Sequence, residues 1–173
     1  MTEYELLQNG IGRKLKFIGR AGYMLSIALF GRTEYEVDYQ IHLDTDASII
    51  LNGTIYTSSS EIDDSRPYGA CTFDRKSVAI LSSRDLYQLR AISYDKNVLL
   101  HLYFSNGLEI HTLPSSQESD DELWRIFLSW TAEPSLVAFH SATTMEIPSC
   151  SQKELDKKKV LLQRRAAQRL FDR

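Results

Sequence analysis

From Lys14 onward the chain alternates apolar and polar residues with a period of two. Lys14-Leu15-Lys16-Phe17-Ile18 alternates, Gly19-Arg20-Ala21-Gly22 interrupts, and Tyr23 to Phe30 is strongly apolar. Tyr35, Val37, Tyr39 and Ile41 then fall on one face of a further strand. Ser48 to Tyr56 is rich in Ile, Leu and Tyr around Asn52-Gly53, a favoured hairpin turn. Residues 57–69, TSSSEIDDSRPYG, form a loop, and short apolar stretches follow at Ala70–Phe73 and Val78–Leu81. Apolar strands resume from Leu86 to Leu113. A polar, acidic connector covers 114–122, and 123–130, LWRIFLSW, reads as a strand. Residues 135–142 and 144–147 read as closing strands.

The two ends break this pattern. Thr2-x-x-Glu5 fits a capping box and Asn9-Gly10 a helix stop, which predicts a short helix over 3–9. Ser151-x-x-Glu154 is a second capping box. Beyond it Leu155, Leu162, Ala166 and Leu170 fall within about 80° on a helical wheel. Val160, Ala167 and Phe171 widen the stripe, which predicts an amphipathic helix over 152–171.

The strand pattern repeats. Shifted by 74 residues without gaps, Leu15 falls on Leu89, Ile18 on Ile92, Leu25 on Leu99 and Phe30 on Phe104. QIHL at 40–43 answers EIHT at 109–112 after a longer loop. Each copy is a three-stranded antiparallel unit that cannot bury its apolar face alone. Two copies share a core either face to face or within one sheet. In the second copy a three-residue turn, Ser105-Asn106-Gly107 with a glycine bulge, puts Val98, Leu100, Leu102, Phe104, Leu108 and Ile110 on one face. That register sets His101 opposite His111. The first copy has the opposite parity, with Leu25, Ile27 and Leu29 as its apolar set. It therefore either buries a different face or is covered on both sides.

The predicted fold class is mainly β, a β-rich α+β chain. Duplicated antiparallel hairpin units form a sandwich or a strongly curved sheet, with a short N-terminal helix and a long amphipathic C-terminal one. Residues 1–150 make a single domain, with repeat units at about 12–56 and 86–147, and 151–173 make the helix.

Charge divides the chain. Its formal net charge is −3, but residues 151–173 hold eight Lys/Arg against three Asp/Glu. That leaves a basic tail of +5 on a body of −8. The two cysteines, Cys71 and Cys150, make no disulfide framework and suit a reducing compartment. The N-terminus lacks the basic and apolar regions of a secretion signal, and no apolar run approaches the roughly 20 residues of a membrane span. The expected location is the cytoplasm, without membrane insertion.

The order of these segments resembles a family of small bacterial domains built from duplicated β-hairpins. The matching residues are Asn106-Gly107-Leu108-Glu109-Ile110, then Leu123-Trp124-Arg125-Ile126-Phe127. The likeness spans about residues 12–147. Asn106 stands where the family usually has Asp, and the first copy has Gly31-Arg32-Thr33 at the same place. Such domains are similar to immunity proteins of polymorphic-toxin and contact-dependent inhibition systems. The resemblance implies an inhibitor of a cognate toxin and carries no catalytic residue with it.

The residues themselves offer little chemistry. His101, His111 and Glu109 are too few for a zinc site, and His42 and His140 stand alone. The chain has no Gly-x-Ser-x-Gly elbow and no glycine-rich phosphate loop, and Cys71 in GACTF reads as a buried thiol. We therefore expect no enzyme, no cofactor and no metal. Two acidic loops are the candidate partner-binding surface: Glu61, Asp63 and Asp64, then Glu118, Asp120, Asp121 and Glu122. They suit a basic toxin or nuclease domain, with Trp130 as an anchor. The alternative surface is Lys157, Lys158, Lys159, Arg164, Arg165 and Arg169 on the C-terminal helix. It suits self-assembly into a homo-oligomer or, less well, nucleic acid.

Overall fold

The computed structural model describes residues 1–32, 38–114, 121–129, 131, 133–139 and 142–146. The chain opens with α1 (Glu3–Gly10), followed by β1 (Leu15–Ala21), β2 (Met24–Leu29), β3 (Tyr39–Leu43), β4 (Ala47–Leu51) and β5 (Thr54–Ser58). A second helix, α2 (Thr72–Leu81), precedes β6 (Leu89–Tyr94), β7 (Leu100–Phe104), β8 (Leu108–Thr112), β9 (Trp124–Leu128), β10 (Ser135–Phe139) and β11 (Ala142–Glu146). The described strands form two antiparallel sheets. One runs β1-β2-β3-β9-β10-β11 and the other β5-β4-β8-β7-β6. They pack face to face, and of the two expected arrangements the sandwich is the one found. The predicted C-terminal helix over 152–171 lies outside the described residues.

The duplication is more complete than the hairpins alone suggest. Each half is a helix followed by five strands. Each half gives its first three strands to one sheet and its next two to the other, where β9 pairs with β3 and β4 with β8. Leu43 opposite Trp124 corresponds to Thr112 opposite Ala47. The crossovers are closed by matching bonds, Asp44 N–H to Leu123 O at 2.8 Å and Leu113 N–H to Asp46 O at 2.7 Å. A local twofold axis passes through the bridge between Lys14 and Gln88. Around it Leu15 N–H donates to Tyr87 O and Leu89 N–H to Arg13 O. Both halves carry a bulge at the same place, between Leu15 and Phe17 and between Leu89 and Ala91.

The ungapped shift of the sequence analysis needs one correction. Leu25 corresponds to Leu100 and Leu29 to Phe104, because Arg20 pairs with Leu25 as Tyr94 pairs with Leu100. Five residues separate Tyr94 from Leu100 where four separate Arg20 from Leu25, so the second copy carries one residue more. That insertion removes the parity conflict, and both copies bury the same face.

Helices close the open sides. α1 packs on β6 and β10, and α2 packs on β1 and β5. The capping box of α1 forms as expected, with Thr2 Oγ1 accepting from Glu5 N–H at 3.2 Å. α2 occupies the region read as short apolar stretches. Its inner face holds Phe73, Asp74, Ser77 and Ile80, all buried. Two polar residues in four hide the helical period. Asp74 is satisfied by Arg20 of β1 at 2.9 Å and by Gly69 N–H at 2.8 Å. The core runs between the sheets from Leu6 to Ile80 through Ile27, Ile41, Leu102, Ile110 and Trp124.

Candidate functional site

The Glu61–Asp64 loop and the described residues Asp121 and Glu122, distant in sequence, arrive at one end of the sandwich. Strand direction dictates this. β3 ends and β9 begins at the pair Leu43–Trp124, and β8 ends and β4 begins at Thr112–Ala47. β5 ends beside them, at the pair Ser48–Ser58. The 44–46 crossover, the 59–71 loop, the 95–99 loop and residues 121–123 therefore share this end. Ser59 Oγ donates to Asp46 Oδ1 at 3.1 Å and accepts from Ala47 N–H at 3.0 Å. The site so assembled contains Glu61, Asp63, Asp64, Asp121 and Glu122, and adds Asp44, Asp46 and Asp95. Sequence reasoning missed these three because nothing local marks 44–46 and 95–99 as neighbours. Glu118, Asp120 and Trp130 lie outside the described residues. Ser129, next to Trp130, belongs to the opposite end, where its N–H donates to Asp38 O at 2.9 Å.

The acids divide by what holds them. Glu61 accepts from Lys76 at 2.8 and 3.0 Å and from Thr57 at 2.7 Å. The Lys76 ammonium, then Thr57, hold its carboxyl below the usual range. Asp63 accepts from the Ser65 hydroxyl, which chiefly lowers its pKa, and from Arg66 at 2.9 Å. Asp64 lies 3.4 Å from Arg20, and Glu122 takes Arg125 in a fork at 2.7 and 3.0 Å. Asp44, Asp46 and Asp121 are exposed, and no ion pair among the described residues holds them. They carry the outward-facing negative charge. Beside them stand Tyr23 at 70% exposure, Tyr68 at 55% and Leu113 at 39%.

A cleft of about 290 Å³ opens at the same end, lined by Thr45, Lys96, Val98, Thr112, Leu113 and Leu123 among others. Here the second half departs from the first, through the inserted residue of the 95–99 loop. Val98 has φ +63°, a costly conformation for a β-branched residue. The Asp95 carboxylate holds the loop by accepting from Asn97 N–H at 2.8 Å and Leu99 N–H at 2.9 Å. Trp124 Nε1–H donates to Val98 O at 2.7 Å from the core. Thr45 Oγ1 is buried in the wall with no hydrogen-bond partner.

The outer face of the five-stranded sheet holds the histidine pair where the three-residue turn predicts it. His101 stands opposite His111, with ring centroids 4.9 Å apart, edge to face. Tyr103 lies 5.3 Å from His111. Glu109 Oε2 sits 3.1 Å from His111 Nε2, out of line for a neutral hydrogen bond. Burial, and then His101, push the His111 pKa down. Among the described residues no group of three His, Cys, Asp or Glu could hold a metal ion. Cys71 is a buried free thiol at the N-cap of α2. No helix of the described residues is long and apolar enough to cross a membrane. The basic set Lys157, Lys158, Lys159, Arg164, Arg165 and Arg169 lies outside the described residues. Comparison with family models, curated proteins and solved structures gives no match to the chain.

Proposed function

We propose that the chain is a non-catalytic protein-binding module, an immunity-type inhibitor that sets its acidic end into the basic cleft of a cognate toxin or nuclease domain. One observation carries the reading: acids from several connections, far apart in sequence, converge on one end of a rigid sandwich. Asp44, Asp46 and Asp121 there are exposed and free of ion pairs among the described residues. Such a surface steers a basic partner and speeds association. Tyr23 and Tyr68 supply exposed aromatic area of the kind that anchors interfaces. The family resemblance adds support from an independent direction. In this reading the protein works in the cytoplasm without a cofactor, and residues 152–171 form an amphipathic helix.

The test is affinity capture from native lysate at moderate salt, with the full chain and with a D44N/D46N/D121N variant side by side. The expected result is one stoichiometric basic protein, toxic when expressed alone, retained by the first and lost by the second. Equal capture by both removes the acidic end from the account. Captured nucleic acid moves the function to the basic residues of 151–173.

A further inference from the structure

The chain holds three Asn-Gly pairs, at 9–10, 52–53 and 106–107, and the fold treats them differently. Such a pair carries its own reaction. The main-chain nitrogen of the glycine, unshielded by a side chain, gives up its proton and attacks the asparagine Cγ. The Cγ–Nδ2 bond breaks, ammonia leaves and a five-membered succinimide closes. Water then opens the ring at either C–N bond. Opening at Cγ leaves aspartate. Opening at the main-chain carbonyl leaves isoaspartate, with the chain rerouted through Cβ and Cγ. The reaction needs a free side-chain amide and a backbone that can turn, so hydrogen bonds and burial suppress it.

Two of the pairs are held. Asn9 lies in the last turn of α1, where its Oδ1 accepts from Arg13 at 2.5 Å and its carbonyl accepts from Arg13 at 2.8 Å. Gly10 is buried against the Tyr39 ring, which would lie 2.8 Å from an added Cβ. Asn106 donates through Nδ2 to Leu86 O at 2.7 Å, beside the bond from Ser105 Oγ to the same carbonyl at 2.6 Å. Asn52 is the free one. It and Gly53 are exposed at the β4–β5 turn, with nothing within 4 Å of the point where a Gly53 side chain would begin. Among the described residues no hydrogen bond engages the Asn52 side-chain amide or the Gly53 N–H. We propose that Asn52 is a spontaneous modification site, converted to aspartate and isoaspartate in the folded protein while Asn9 and Asn106 are spared. The product lands in a packed place. Asn52 N–H donates to Gly107 O at 2.8 Å and Asn52 Oδ1 lies over Gly107, so the two hairpin turns abut. An isoaspartate adds a backbone atom to the two-residue turn between Leu51 and Thr54 and disturbs that pair. The turn lies at the end of the sandwich away from the acids, and its chemistry does not rest on the proposed function.

The experiment is peptide mapping by mass spectrometry of the full chain aged in mildly alkaline buffer, with the same chain aged in urea as the unfolded reference. Isoaspartate is read by electron-transfer fragmentation. In urea all three asparagines should react. In buffer Asn9 and Asn106 should slow at least about tenfold against that reference, and Asn52 should become the leading site. Asn52→Gln, which cannot close the five-membered ring, should remove the new acidic species from anion exchange. In modified chains separated by anion exchange, hydrogen exchange should rise at Leu51 and Thr54. Asn9 or Asn106 reacting as fast as Asn52 in buffer overturns the proposal, and so does an Asn52 protected as strongly as they are. Unchanged exchange at Leu51 and Thr54 in the modified chains overturns the effect on the turn.

Discussion

Asp74 shows how single residues hold this sandwich closed. It is wholly buried in α2 and bonded to Arg20 of β1, whose side chain is 5% exposed. Burial raises its pKa, but Arg20, the Cys71 thiol and the Gly69 N–H outweigh that and hold the carboxyl below the usual aspartate value of 3.8. Asp74→Asn leaves Arg20 with a weakened partner, and losing one member of a buried pair costs about 3–5 kcal/mol. Urea unfolding should therefore show a lower midpoint with little change in slope. Because the folded pKa is depressed, the stability from Asp74 is present above pH 3.8 and is lost as pH falls toward the folded value. His111 acts in the same direction in a higher window. Its folded pKa lies below 6.5, so protonation favours the unfolded chain and stability falls as pH drops below 6.5. His111→Gln should flatten that part of the pH–stability curve, and an unchanged slope between pH 6.5 and 5 would remove His111 from the account. The same scale separates the acids. Glu61→Gln removes a carboxylate already engaged by Lys76, and partner capture should barely change.

At the scale of elements, the β7–β8 hairpin was the most legible part of the chain. Face parity alone selected the turn Ser105–Gly107 and the pairing of His101 with His111. The turn itself differs from a simple glycine bulge: Asn106 and Gly107 both have positive φ, +57° and +71°. Gly107 also meets the other hairpin turn, and Asn52 N–H donates to Gly107 O at 2.8 Å. An added Cβ would lie 2.4 Å from Asn52 Oδ1 and 3.3 Å from its backbone nitrogen. Gly107→Ala should therefore cost at least about 1 kcal/mol, read as a lower melting temperature. α2 was illegible for a physical reason. Tertiary partners neutralise Asp74 and Ser77 sits at 0% exposure, so the buried face is not apolar and the period is lost. Leu25, Ile27 and Leu29 are the buried set of the first copy, as its alternation says, and only their alignment with the second copy slips, because one inserted residue in the 95–99 loop is invisible in an ungapped comparison.

At the scale of the whole molecule, the exchange of β4–β5 and β9–β10 between sheets decides where the acids go. No local pattern announces a crossover, and both assemblies of two β units satisfied the alternation equally well. Once the strands cross, the 44–46 link must lie beside 121–123 and the 59–71 loop, and the acids converge. The departure from twofold symmetry at Val98 opens its cleft at the same end as the acids. The central claim is that the acidic end is the contact surface, and hydrogen exchange on the captured complex tests it most directly. Protection should rise in 44–46, 59–68, 95–99 and 121–123, with the 100–112 hairpin unchanged on its outer face. Protection confined to the His101–His111 face, or to the turns at 51–54 and 105–107, would contradict it.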